Sequence, residues 1–233
     1  MVKKILFIIL SLNVLHCVIS REIQYKIVEK KGIVDIRFKE GEWQKAEVDQ
    51  LIPIYVEILT GFHSQLTIEI TKGSYLTINQ LSHVIINEEV EKFECCITNV
   101  TLLRGYLLAN AKRISNEKNR IFIYIENGII EFNEASGEVY LREDKGTFIK
   151  AFEGKVKISN KKKLPILNLK KDEICCFLPN GAFLDSDYFI RRNINIKPNN
   201  LIEPNKITAY YDQLFYYYTN DPNSNDYNDQ FKP

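Results

Sequence analysis

The stretch Arg120-Ile-Phe-Ile-Tyr-Ile125, followed by Glu126-Asn127-Gly128, decides the fold class. Strand side chains alternate between two faces, so Ile121, Ile123 and Ile125 share one of them; β-branched and aromatic residues fit such a pleated, half-buried surface. The Asn-Gly pair suits a two-residue hairpin loop or a solenoid corner, because glycine reaches positive φ without strain. The same two-residue period recurs outward in Gly32–Phe38, Leu66–Ile70, Tyr75–Ile78, His83–Ile86, Gly137–Leu141, Thr147–Phe152 and Lys155–Ile158. Turn residues separate these runs at Lys72-Gly73, Ser136-Gly137, Lys145-Gly146, Glu153-Gly154 and Asn180-Gly181. Almost no helical period appears, so the body from Gln24 to about Ile196 is predicted to be all-β, made of many short strands whose spacing fits a roll or a solenoid. A sandwich fits the spacing as well, and no clean internal repeat selects a solenoid. The polar segment Ser115–Asn119 reads as a loop dividing this body into halves.

Composition narrows the chemistry. The 233 residues are 45% hydrophobic and 26% charged, enough for a core, and 13 Tyr and 13 Phe agree with β-structure. Lys and Arg number 31 against 30 Asp and Glu, a formal charge of +1 that gives no electrostatic reason to expect a nucleic-acid partner. With three His and no glycine-rich phosphate loop, neither a metal nor a nucleotide cofactor is expected.

Lys3 and Lys4 precede an apolar run from Ile5 to Ile19 that ends in Val18-Ile19-Ser20, the plan of a signal peptide cut after Ser20. The run is interrupted by Asn13 and His16 and falls short of the roughly 20 apolar residues of a comfortable membrane span. Cleavage, and with it an exported, periplasmic protein, is therefore the expectation. A competing cut would lipidate Cys17 after Val14-Leu15-His16, making a surface lipoprotein; an uncut signal would leave the chain anchored. Domain limits follow as 1–20 for the signal peptide, 21–197 for the β-domain and 198–233 for a C-terminal tail. That tail carries Pro198, Pro204, Pro222 and Pro233 among many Asn and Asp, and its last stretch is expected to be disordered. Within it, Thr208–Tyr218 is an aromatic run too apolar to leave in water, expected to join the β body as an edge strand or short helix, or else to dock a partner.

Beyond Cys17, the cysteines form two adjacent pairs, Cys95-Cys96 and Cys175-Cys176. Neighbouring Cα atoms lie about 3.8 Å apart, too close for a relaxed bridge, so a disulfide would have to join one pair to the other on neighbouring strands. In a strand at most one cysteine of each pair faces the core, and reduced, buried thiols are the competing reading. A four-cysteine zinc site is disfavoured, because metal knuckles use a two-residue gap. His63 and His83 show no catalytic neighbours in sequence and are expected to be structural. Glu88, Glu89 and Glu91 read as an acidic turn, and Lys161–Lys163 with Lys170-Lys171 as charged strand edges that resist aggregation. Asn99-Val-Thr101 has the glycosylation form, relevant only in a eukaryotic secretory route.

The order of Lys31-Gly-Ile-Val34, Gly41-Glu-Trp43, Leu51, Glu57-Ile-Leu-Thr-Gly-Phe-His-Ser64 and Lys72-Gly-Ser-Tyr-Leu-Thr-Ile78 resembles the FecR domain, a bacterial extracytoplasmic β-module. Leu103-Arg-Gly-Tyr106, Ala135-Ser-Gly-Glu-Val139, Thr147-Phe-Ile149 and Phe152-Glu-Gly-Lys-Val-Lys-Ile158 extend the resemblance over residues 28–180. Its family-like turn residues are Gly61, Ser64, Gly73, Gly137 and Gly154. Founding members of that family sense siderophore uptake, with an anti-sigma segment in the cytoplasm. Here a signal-peptide-like stretch stands in that segment's place, so direct control of a sigma factor does not carry over. The resemblance implies a rolled or solenoid-like β-structure and a non-enzymatic sensory or interaction module whose partner is an envelope protein or cell-wall component, with no catalytic residues to transfer. A carbohydrate- or peptidoglycan-acting enzyme using two carboxylates is the alternative. Trp43 and the turn glycines are expected to secure the fold rather than touch a ligand.

Overall fold

A computed structural model describes residues 24–185 apart from 72, 93–94, 114–117, 143–145, 162–164 and 179–182. The signal-peptide-like stretch with Cys17, the Asn180-Gly181 pair and the C-terminal tail lie outside the described residues. The strands are β1 (Gln24–Lys31), β2 (Val34–Phe38), β3 (Gln44–Lys45), β4 (Leu51–Pro53), β5 (Val56–Thr60), β6 (Gln65–Thr71), β7 (Ser74–Ile78) and β8 (His83–Lys92). They continue with β9 (Cys95–Asn110), β10 (Lys118–Ile125), β11 (Gly128–Arg142), β12 (Gly146–Asn160), β13 (Pro165–Leu169), β14 (Ile174–Phe177) and β15 (Phe183–Asp185). No helix occurs among the described residues, as the alternating pattern requires.

All strands belong to one sheet, folded over on itself. Three long strands, β9, β11 and β12, each contribute one half to each of two layers. The first layer runs β4-β1-β6-β7, then the C-terminal halves of β9 and β11, the N-terminal half of β12, and β14-β15. The second runs β3-β2-β5-β8, then the N-terminal half of β9, β10, the N-terminal half of β11, the C-terminal half of β12, and β13. Every pairing is antiparallel except β9 with β10, so the fold is a roll rather than the parallel coil of a solenoid.

The inward residues form a single core that includes Tyr25, Ile27, Ile36, Ile58, Leu76, Val100, Ile123, Phe132, Val139, Ile149 and Val156. The burial of β6 alternates strictly, with Leu66, Ile68 and Ile70 inside, as its sequence demands. Full burial of each such side chain contributes roughly 1.5–3 kcal/mol.

The long strands pass between layers at aligned irregularities. Strand β9 turns at Gly105 (φ 98°), β11 slips register between Asn133 and Ser136 with Glu134 at φ 49°, and β12 turns at Gly154 (φ 72°). A Cβ on Gly154 would lie 2.6 Å from the Glu134 carbonyl oxygen, so the bends of β11 and β12 nest against each other only with glycine there.

Several sequence expectations change. Ser136-Gly137 and Glu153-Gly154 are not turns between strands but bends inside β11 and β12, which the sequence pattern had broken into shorter pieces. Glu126-Asn127 does form a two-residue hairpin loop, with Ile125 opposite Gly128, yet neither Asn127 nor Gly128 has positive φ. Glu88, Glu89 and Glu91 are not a turn: they extend β8 opposite Asn99, Thr98 and Cys96. Lys118 and Asn119 are not loop but the start of β10, whose parallel pairing with β9 makes the supposed halves continuous. Asn119 is buried and donates to the Ser74 hydroxyl (3.0 Å) and the Lys112 carbonyl (2.7 Å), so a polar residue here closes a core edge.

Candidate interaction surface

The segment Thr60-Gly-Phe-His-Ser64 joins β5 to β6 at one end of the roll. Its two hydroxyls act in opposite directions along the chain. Thr60 Oγ1 donates to the Asn79 carbonyl (2.5 Å) and accepts from Ser82 N (2.9 Å), tying the turn to the β7–β8 connection. Buried Ser64 Oγ accepts from Ile33 N (2.8 Å) and donates to the Phe62 carbonyl (3.0 Å), tying it to the β1–β2 connection. Gly61 N donates to the Ile33 carbonyl and accepts, through its own carbonyl, from Leu81 N. Three connections are thereby fused into one rigid platform.

On this platform stand three large apolar side chains in water: Phe62 is 74% exposed, Ile33 61% and Leu81 42%. Ile33 and Leu81 each share a backbone hydrogen bond with Gly61, and Phe62 follows it in the chain. Single exposed apolar residues are ordinary, but three grouped on hydrogen-bonded turns form the kind of patch that marks protein contacts.

Beside it, on the outer face of the second layer, β2, β5 and β8 bring together Arg37, Glu57 and His83. Arg37 donates to Glu57 through Nε (2.9 Å) and Nη2, and His83 Nε2 lies 2.6 Å from Glu57 Oε1. Partial burial works against the Glu57 charge, but Arg37 and His83 outweigh it and hold the carboxyl below its ordinary value. The Arg37 guanidinium also lies 4.6 Å over the Trp43 ring, which places Trp43 as a half-exposed lid on the ion cluster. Sequence reading missed this cluster because its members stand 20 and 26 residues apart and meet only through strand pairing.

A cleft of about 460 Å3 opens at the β9–β12 end, lined among others by Leu103, Tyr124, Glu126, Arg142 and Lys161.

The other predicted residues scatter. Gly73 caps the β6–β7 turn and donates to Glu69 Oε1 (3.0 Å). Gly137 and Gly154 lie in the strand bends, remote in sequence from Gly61 and Ser64. The structure does not form the disulfide proposed between cysteine pairs. Cys95 and Cys96 sit on β9 between β8 and β10, whereas Cys175 and Cys176 sit on β14 between β12 and β15, so the two pairs are not on neighbouring strands. The rule of one core-facing cysteine per pair holds for β14, where Cys175 joins the core, but Cys176 on the opposite face is buried as well. Burial pushes the Cys176 thiol up to about 12. Among the described residues, no three of His, Cys, Asp and Glu gather as a metal site requires.

No protein-family model matches the chain, and no curated protein matches it. Among solved structures, it is similar to two crystal structures of a protein from Parabacteroides distasonis provisionally assigned as an anti-sigma factor, at 16% and 17% identity and a TM-score of 0.46 in each case. The match covers 56% of this chain and 58% of that protein, so this chain spans little more than half the length of the structures it matches.

Proposed function

We propose that this chain is a non-enzymatic, exported β-module of the FecR type that works by binding another protein of the bacterial envelope, with the Thr60–Ser64 platform as its contact surface. The observation that carries this reading is the platform itself: Ile33, Phe62 and Leu81 are held out in water by turns whose polar groups are satisfied internally. A rigid apolar patch loses little conformational entropy on association, so its burial goes into affinity. The neighbouring Arg37–Glu57–His83 cluster supplies a charged rim, the usual surround of an apolar contact. The family-like residues Gly61 and Ser64 then act at one remove, by holding the patch. Envelope location rests on the basic and apolar start of the chain, and sensing rests on the resemblance.

A photo-crosslinker placed at Phe62 in the full chain, expressed in its native host, tests the proposal. The expected result is one discrete crosslinked envelope protein, lost when Ile33→Ser is added and absent when the crosslinker stands at exposed Glu153. Diffuse crosslinking that Ile33→Ser leaves unchanged would overturn it.

A further inference from the structure

The first layer carries a second buried surface on the side facing away from the core. Strand alternation sends Val139 and Leu141 of β11, Ile149 and Ala151 of β12, and Cys175 and Phe177 of β14 into the core. Their neighbours Glu138, Tyr140, Phe148, Lys150, Ile174 and Cys176 therefore project from the opposite face. In a two-layer roll that face belongs to solvent, yet all six are buried, Phe148 to 1% exposure. Tyr140, Phe148, Ile174 and Cys176 stand apart from the core cluster. The register aligns Tyr106, Tyr140, Phe148, Cys176 and Leu184 in one row across β9, β11, β12, β14 and β15, and the Tyr106 and Tyr140 rings meet edge to face at 6.3 Å. A second row sets Glu138 opposite Lys150, with the Glu138 carboxylate accepting from the Tyr106 hydroxyl (2.5 Å), so the surface is aromatic with one charge of each sign beside it.

The described strands are all used in the two layers, so none remains to lie over this row. We propose that the aromatic segment Thr208–Tyr218 of the same chain covers it, making the outer face of β11, β12 and β14 an intramolecular docking surface for the C-terminal tail. Position favours this occupant. The described chain leaves the body at β15, on the β14 edge of this very face, while the other terminus enters at β1, three strands beyond β9. Between Asp185 and Thr208 lie 22 residues, a reach of up to about 70 Å against the roughly 20 Å that four strands span. Chemistry agrees: Tyr210, Tyr211, Tyr216, Tyr217 and Tyr218 carry amphipathic rings and Phe215 an apolar one, side chains of the kind that suit a Tyr and Phe row with polar groups such as Glu138 and Lys150 at its border. The contact is independent of the Phe62 platform and stands or falls separately.

Hydroxyl-radical footprinting of the full chain, read by mass spectrometry, provides the test. In the native protein Tyr140 and Phe148 are expected to be as protected as the core residue Tyr25. The triple variant Phe215→Ser, Tyr216→Ser, Tyr217→Ser is expected to raise modification of Tyr140 and Phe148 severalfold while Tyr25 stays protected, which separates loss of the cover from loss of the fold. Unchanged protection in that variant would overturn the proposal. Protection that disappears on dilution of the unaltered protein would also overturn it, by assigning the cover to a second copy.

Discussion

Glu57 is the residue on which the charged rim depends, because Arg37 and His83 both turn to it. A carboxyl whose folded-state value is depressed adds stability above its unfolded value and loses that stability as pH falls through the folded one. The window therefore lies on the acid side, from around 4.5 downward. Glu57→Gln is expected to lower the melting temperature at neutral pH, and the gap from the unaltered protein is expected to close as the pH is taken below that value. A gap constant across the titration would show that packing, not charge, explains the loss. None of this trio was legible in the sequence: Glu57 alternates with apolar neighbours like any solvated strand carboxylate, and His83 has no acid beside it. Gly61 and Ser64, by contrast, were singled out by the resemblance to the FecR domain; of their contacts only the Ser64–Phe62 hydrogen bond is local, and Ile33, which both bind, is distant in sequence.

At the scale of elements, the glycines separate into two kinds that sequence alone does not distinguish. A Cβ on Gly137 would come 2.3 Å from the Lys150 carbonyl oxygen across the β11–β12 ladder, so the strands would have to part. A Cβ on Gly61 would meet nothing nearer than 3.5 Å. Gly137→Ala is thus expected to cost about 1–3 kcal/mol by overpacking, while Gly61→Ala stays within about 1 kcal/mol of the parent, as chemical denaturation would show. Equal costs would mean that the β11 bend yields more readily than its ladder implies. The length of β9, β11 and β12 escaped the sequence pattern for a related reason: a bend that moves a strand from one layer to the next interrupts the two-residue period just as a turn does.

Across the whole molecule, what the layers cover decides which groups can react. Cys95 and Cys96 are partly exposed, whereas Cys175 lies in the core and Cys176 is buried on the outer face, with its thiol raised to about 12. Alkylation of the native protein near pH 8, followed by peptide mapping, is expected to modify the first pair and spare the second until denaturant is added. Early modification of Cys176 would show that the outer face opens readily. The all-β class and the alternation that fills the core were set by the sequence alone, since each depends on the order of residues within a single strand. Only the tertiary structure decided the folding of one sheet into two layers, the meeting of Arg37, Glu57 and His83, the separation of the cysteine pairs and the burial of a second sheet face. Those features depend on which distant strands become neighbours, and a two-residue period records which side of a strand is apolar but not which strand will lie beside it or what will lie above it.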